Sequence, residues 1–241
     1  MNLYIIFLVI IFFIIIYLVI DHLINFKNIN IFVITLNNND RLNNINNEEN
    51  KINYPIEQFI GINGQYINQL DLYNKNILSK EFLDKDNIKR SKEIGCYLSH
   101  LNLLKKISNN ITSNYSIILE DDFIIIDNNV LNKINDIVNY LFYNNIDFDI
   151  IFLGNTFDNK GNKLNDNNFN IYEINTDVYT IGCFSYLINN KNIFKIINYL
   201  NYIDSPIDNK IDSLIKNKKI ISYVIYPNLI TYNSILDSNI L

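Results

Sequence analysis

Apolar β-forming segments alternate in this chain with segments of helical periodicity, and this alternation restricts the fold more than any single motif. Because strands that alternate with helices are typical of layered α/β domains, we expect an α/β domain with a mainly parallel central sheet. The strands are predicted over residues 28–36, 54–62, 115–119, 148–154, 178–188 and 221–227. The helices are predicted over residues 91–107, 128–143 and 191–200 and after residues 205–208.

An unbroken apolar run from Leu3 to Ile20 precedes this domain. Eighteen residues of helix span about 27 Å, close to the hydrocarbon thickness of a bilayer. A cleaved signal peptide is the competing interpretation, but no basic residue precedes the run and no small-residue cleavage motif follows it. The sequence therefore predicts an N-terminal transmembrane anchor over residues 1–24 and a catalytic or binding domain over residues 25–241.

Composition excludes several classes of protein. The net charge is −5 and the chain has only two arginines, so the basic surface of a nucleic-acid-binding protein is absent and no nucleic-acid partner is expected. Cys96 and Cys183 are too few for a disulfide framework and are interpreted as buried free thiols, with no Cys/His metal cluster. No P-loop or dinucleotide-binding glycine motif is present. Asparagine-rich tracts such as NNND and NNINNEEN are interpreted as loops.

The segment SIILEDDFII sets three consecutive carboxylates, Glu120, Asp121 and Asp122, between two apolar runs. Adjacent buried anions are unfavourable unless a cation or hydrogen bonds compensate them. In an extended strand, Glu120 and Asp122 project to one side and Asp121 to the other, at the strand end where α/β sheets bind ligands. Oxygen ligands favour Mn²⁺ or Mg²⁺ together with substrate phosphates. Helix capping is the alternative, but Asp127 is better placed as the N-cap of the next helix.

Several motifs occur together in one order along the chain. They are VITLNNNDR at 33–41, EIGCYLSH at 93–100, LEDD at 119–122, FDIIFLG at 148–154, Gly182 to Tyr186, SPID at 205–208 and YPNLITYNSILDSNI at 226–240. In this combination the chain resembles glycosyltransferase family 25, the lipooligosaccharide and procollagen galactosyltransferases, over residues 31–240.

This resemblance implies a GT-A fold, a UDP-galactose or UDP-glucose donor, Mn²⁺ and inversion at the anomeric carbon. It implies that Asp122 binds the metal and that Glu120 contacts a metal-bound water or the ribose, with Asp121 completing the donor-binding acidic motif. Thr35 and Leu36, at the end of the first strand, would border the nucleotide. Arg41 would hold the nucleotide, although a solvated loop arginine is the alternative.

Inversion in one displacement requires a base that takes the proton from the acceptor hydroxyl. Asp208 is the candidate, with Asp212, one turn further on the same helix face, as the substitute. The alternative for Asp208 is structural, because Ser205-Pro206-Ile207-Asp208 also matches a helix N-terminus with an acid at N3. His100 is interpreted as a hydrogen-bonded structural residue.

The sequence thus predicts a hexosyltransferase with a nucleotide-sugar donor and a glycan or hydroxylated protein as acceptor. The apolar run predicts a single-pass membrane protein, and the family resemblance implies that its catalytic domain is lumenal. A catalytically inactive relative acting as a binding or assembly subunit is the main alternative. It is motivated by Cys183, where the family has Thr, and Asn239, where the family has Asp. A phosphate-ester hydrolase lacks an evident nucleophile.

Overall fold

An eight-stranded sheet lies at the centre of the domain in the computed structural model, which describes residues 7–16, 29–84, 86–164, 170–178, 182–234 and 236. The strand order is β2-β1-β3-β8-β5-β9-β7-β6, and a second sheet pairs β10 with β4. The strands are β1 (Ile29–Thr35), β2 (Glu57–Ile60), β3 (Tyr115–Glu120), β4 (Phe123–Ile125), β5 (Ile150–Phe152), β6 (Lys160–Lys163), β7 (Ile171–Ile174), β8 (Ser185–Asn189), β9 (Ser222–Ile225) and β10 (Ile230–Tyr232).

Most strands of the large sheet run in the same direction. β1 is parallel to β2 and β3, and β5 is parallel to β9, whereas β8 lies antiparallel between β3 and β5. A parallel return needs a crossover such as a helix, and the described chain between β5 and β8 contains the β6–β7 hairpin instead. The predicted mixed α/β architecture with a mainly parallel sheet is confirmed.

Helices cover both faces of the sheet. They are α1 (Asn39–Ile52), α2 (Gln69–Asn74), α3 (Ile88–Asn109), α4 (Val130–Tyr143), α5 (Ile193–Leu200) and α6 (Ile207–Lys216). Alternate residues of β1 and β3 enter two separate apolar clusters. One cluster contains residues of α3, α5 and α6, and the other contains residues of α1 and α4. Strands β1 and β3 are apolar on both faces because helices bury both faces.

Helix α1 lies in the asparagine-rich tract that was interpreted as a loop, so that interpretation is wrong for residues 39–52. Its inward face is formed by Arg41, Ile45 and Glu48, which are all buried and recur at helical spacing. Asn44 Nδ2 donates to the backbone carbonyls of Asp121 and Phe123 at 3.1 and 2.9 Å. Glu48 Oε2 accepts from the Ile125 backbone amide at 2.8 Å. The helix is therefore held against the β3–β4 turn by polar contacts.

The predicted N-cap of α4 is also wrong. Asn129, not Asp127, occupies that position. The Asp127 carboxylate accepts instead from the Asn129 backbone amide at 2.8 Å and pairs with Lys133.

The predicted transmembrane anchor is contradicted. Within the described range 7–16 the chain is helical. Across the described ranges, no helix is both long enough and apolar enough to cross a membrane. The prediction of a single-pass membrane protein is therefore wrong. The rest of the Leu3–Ile20 run and the domain boundary at residue 25 lie outside the described residues.

Helix α3 packs against the segment 61–65 at a point where only glycine fits. A Cβ on Gly95 would lie 2.6 Å from the Gly64 backbone nitrogen and 2.7 Å from the Ile62 carbonyl oxygen. A Cβ on Gly64 would lie 1.9 Å from the Ser91 carbonyl oxygen. These contacts are between backbone atoms, so no side-chain rearrangement can relieve the overlap. The spacing of α3 and this segment is fixed by the two glycines.

We predict that Gly95→Ala destabilises the protein, although alanine is the better helix former by about 0.5–1 kcal/mol. Overpacking should dominate and lower the free energy of unfolding by about 1–3 kcal/mol, measured by urea denaturation. Asn102→Ala is the matched control, because Asn102 is exposed in the same helix. A Gly95→Ala variant at least as stable as the wild type would contradict the close packing.

Candidate functional site

A pocket of about 200 Å³ opens beside the carboxyl ends of β1 and β3. Its other wall is formed by α3 and the segment 62–65. Four residues predicted to bind the donor line it, namely Thr35, Leu36, Glu120 and Asp121. Lys92, Gln65 and Asn63 add polar groups. Its place at the ends of two neighbouring parallel strands is the usual position of a ligand site in α/β sheets.

The acidic motif forms the turn between β3 and β4. Strand β3 ends at Glu120, and Asp121 and Asp122 lie in the turn. Their side chains therefore do not alternate between the two sides of a strand, as the sequence predicted. Both aspartates contact one nitrogen of Arg41: the Nη1–Oδ1 distance to Asp121 is 3.1 Å and the Nη1–Oδ2 distance to Asp122 is 2.9 Å. Arg41 is 4% exposed. A buried guanidinium thus supplies positive charge that the sequence argument assigned to a metal ion.

One carboxylate oxygen of Asp122 is without a hydrogen-bond partner among the described residues. Its Oδ1 is buried and has no hydrogen-bond partner within the part of the chain that the structure describes. Its backbone carbonyl accepts from the Asn233 amide at 2.7 Å, next to the pairing of β4 with β10. Buried polar atoms without a partner are rare in proteins and often indicate a missing ligand. An anionic oxygen of this kind suits a hard divalent cation.

Glu120 faces away from Arg41, toward helix α3. Its Oε1 lies 3.3 Å from His100 Nε2 and 4.0 Å from Cys96 Sγ. The other ring nitrogen of His100, Nδ1, lies 2.8 Å from the hydroxyl of Tyr186 on β8. His100 and Tyr186 are both 1% exposed. The interpretation of His100 as a hydrogen-bonded buried residue agrees with these contacts.

Burial dominates the electrostatics of this turn. It raises the pKa of Glu120, an effect that the hydrogen bond with His100 partly offsets. It also raises the pKa of Asp121, which a hydrogen bond from Thr35 and the charge of Arg41 act to lower. Burial, with the nearby carboxylates of Glu120 and Asp208, raises the pKa of the Cys96 thiol. Both acids therefore hold their protons more tightly than they would in water.

Asp208 lies in the first turn of α6, but it does not cap that helix. Pro206 occupies the N-cap position and makes no side-chain capping bond. The Asp208 Oδ1 accepts instead from the backbone amide of Cys183, next to Gly182, at 2.9 Å. Gly182 has a φ of +122°, which is unfavourable for other residues. Asp208 thus holds the segment that leads into β8, close enough to Glu120 to affect its pKa.

Asp212 is buried and pairs with Lys216, with an Oδ2–Nζ distance of 2.9 Å. Of the two candidate bases, Asp208 is the one whose charge acts on Glu120 in the acidic turn. The catalytic and ligand-binding roles assigned to both residues and to Thr35, Leu36, Arg41, Glu120, Asp121 and Asp122 remain predictions. Asn239 lies outside the described residues.

Sequence reasoning missed one grouping in this site. Cys96, His100 and Glu120 each offer a metal-ligating atom, and these atoms lie within 4.8 Å of one another. The expectation that no Cys/His metal cluster exists is therefore corrected. The available signal was the spacing of Cys96 and His100, which puts residues four apart on one face of a predicted helix.

We predict that Arg41→Gln strongly destabilises the protein, because it leaves the buried carboxylate of Asp121 and the half-buried carboxylate of Asp122 without this cation. Loss of one partner of a buried ion pair lowers the free energy of unfolding by about 3–5 kcal/mol, which urea denaturation would measure. Lys75→Gln is the control, because the Lys75–Asp71 pair is exposed and should contribute about 0–1 kcal/mol. Asp122→Asn should be milder than Arg41→Gln, since Arg41 keeps Asp121. Equal small losses in all three variants would refute this account.

Comparison with known proteins shows the family of the chain. No curated protein matches this chain significantly. The family model described as glycosyltransferase family 25 (LPS biosynthesis protein) matches residues 28–211. The matched region covers β1, α1, the pocket, the acidic turn and the first turns of α6. The chain belongs to glycosyltransferase family 25.

Proposed function

We propose that this protein transfers a hexose, galactose or glucose, from a UDP-sugar to an acceptor hydroxyl with inversion and with the help of a divalent cation. The acceptor would be a glycan or a hydroxylated protein. The domain would be a GT-A domain, in keeping with its mixed α/β sheet. The observation that carries the proposal is the acidic turn beside the pocket, where Asp122 keeps a buried carboxylate oxygen without a hydrogen-bond partner among the described residues.

The donor would lie in the pocket at the ends of β1 and β3. Thr35 and Leu36 line that pocket and would border the nucleotide, and Lys92 adds a cationic side chain suited to phosphate. Arg41 would act on the donor indirectly, by keeping Asp121 and Asp122 in place, because its guanidinium contacts both.

Asp122 and Glu120 would hold Mn²⁺ or Mg²⁺. The fit is supported by the unpartnered Oδ1 of Asp122 and by the exposure of a quarter of the Glu120 side chain, which lines the pocket. When bound, such a cation offsets the charge that develops on a leaving diphosphate.

Asp208 is the proposed base for the acceptor hydroxyl. One of its oxygens accepts from the Cys183 amide, which fixes the carboxylate, and a carboxylate has a second oxygen that can take a proton. Because α6 begins without a side-chain cap, the capping alternative for Asp208 loses its main support. The remaining structural role is to hold the segment before β8.

We predict that Asp208→Asn lowers the rate of sugar transfer at least about a hundredfold, the lower range for a general base. The asparagine keeps an oxygen that can accept from the Cys183 amide, so the melting temperature should change little. Asp204→Asn is the matched control, because Asp204 is a partly exposed acid just before α6 that pairs with Lys210. Transfer that survives in Asp208→Asn but is lost in Asp212→Asn would move the role of base to Asp212.

We also predict that chelation abolishes transfer and that added Mn²⁺ restores it. In a screen of UDP-sugars, donor hydrolysis and transfer should both require the cation, and Asp122→Asn should remove both activities while the protein stays folded. The inactive-relative alternative expects no turnover with any donor, even though UDP and Mn²⁺ raise the melting temperature by binding. Full activity in the presence of chelator would exclude the metal-assisted mechanism.

A further inference from the structure

One wall of the pocket carries three side chains that commonly bind metal ions. Cys96 and His100 lie one turn apart on α3, and Glu120 lies at the adjacent end of β3. All three line the pocket. These three side chains differ in chemistry from the carboxylate site at Asp122, because they offer a thiol and an imidazole as well as a carboxylate.

The three ligand atoms lie within 4.8 Å of one another, and the separation between His100 and Glu120 already matches that of a tetrahedral site. Zinc–ligand bonds of about 2.0–2.3 Å place neighbouring ligand atoms about 3.3–3.6 Å apart. The distance from His100 Nε2 to Glu120 Oε1 is 3.3 Å, and that from Cys96 Sγ to the same oxygen is 4.0 Å. For one ion to bind all three atoms, side-chain rotation has to shorten the longer separations, which do not exceed 4.8 Å.

The surroundings of His100 support the same conclusion. Its Nδ1 lies 2.8 Å from the Tyr186 hydroxyl, and both side chains are almost fully buried. Metal-binding histidines usually have their second ring nitrogen held by a hydrogen bond, which orients the ring and leaves the first nitrogen for the metal. Here the nitrogen left for a metal, Nε2, is the one that faces Glu120 and the pocket.

The ligand set selects the kind of ion. A thiolate with an imidazole is unsuited to Mn²⁺ or Mg²⁺, which prefer oxygen ligands, and is typical of zinc. Three protein ligands beside a cavity correspond to zinc sites that leave a fourth position for water or another small ligand.

We propose that Cys96, His100 and Glu120 bind one zinc ion, with the fourth coordination position open to the pocket. Binding replaces the thiol proton of Cys96, which is released to solvent. The inference does not require the proposed transferase activity, because it depends only on these three side chains. Glu120 is also a proposed ligand of the catalytic cation, so zinc bound here would withdraw it from that role.

The test is metal binding by the full chain after removal of metals with a chelator. Titration with Zn²⁺ should show one ion per chain. Co²⁺ as a spectroscopic substitute should give a thiolate-to-cobalt charge-transfer absorption. Cys96→Ser should remove that absorption and weaken Zn²⁺ binding at least about a hundredfold, more than the 10- to 100-fold typical of losing an outer partner. Cys183→Ser is the matched control, because it removes the other free thiol and keeps every proposed ligand.

Tyr186→Phe provides a second variant. It should weaken Zn²⁺ binding about 10- to 100-fold and keep the cobalt absorption, because it removes only the partner of His100. If Cys96→Ser fails to fold, X-ray absorption spectroscopy at the zinc edge of the wild-type protein is the test. A zinc coordination shell that contains one sulfur atom is expected. A shell of oxygen and nitrogen alone, a cobalt absorption that survives Cys96→Ser, or no Zn²⁺ binding would overturn the proposal and leave a Tyr186–His100–Glu120 hydrogen-bond chain.

Discussion

The compensation of buried negative charge by Arg41 is the constraint on which this structure depends. Two carboxylates at the end of a buried strand would repel each other, and one guanidinium nitrogen contacts both. That contact requires α1 to lie against the β3–β4 turn, where Asn44 and Glu48 bind the backbone on both sides of the aspartates. With this turn fixed, the pocket has a rigid acidic edge.

Glycine contacts fix the opposite wall of the pocket. Because Gly64 and Gly95 bring backbone against backbone, α3 cannot shift relative to the segment 61–65 without breaking close contacts. Cys96 and His100 follow directly in this helix and therefore have defined positions relative to Glu120. Charge pairing on one side and steric fit on the other together determine where polar groups meet in the pocket.

The sequence predicted six of the eight strands of the large sheet, because strands buried on both faces are continuous apolar runs. It missed the β6–β7 hairpin, whose strand β6 is exposed and has no apolar residue. The sequence did not predict α1, because the inward face of this helix is largely polar. Arg41, Asn44 and Glu48 give no apolar helical pattern, so the segment is typical of a solvated asparagine-rich loop. The sequence also failed to predict β4 and β10, since strands of three residues give too short a pattern for periodicity to detect.

Part of the candidate site was predictable and part was not. The acidic motif and the end of the first strand could be assigned to one edge of the sheet, and Thr35, Leu36, Glu120 and Asp121 do line one pocket. The pairing of Arg41 with Asp121 and Asp122 could not be predicted, because it joins a helix to a distant turn through tertiary contact. The contact between Glu120 and Cys96 could not be predicted either, because it joins the end of β3 to α3 through tertiary packing.

The pairing of β4 with β10 has a consequence for how the chain reaches its final form. Strand β4, immediately after the acidic turn, forms its two-stranded sheet with β10, which comes much later in the chain. The Asn233 amide, next to β10, donates to the carbonyl of Asp122 itself. During synthesis, β3 and α1 emerge from the ribosome long before that strand exists. The turn therefore cannot gain its last backbone partners until residues 230–233 have been synthesised, so the site is completed well after its acidic residues have been made.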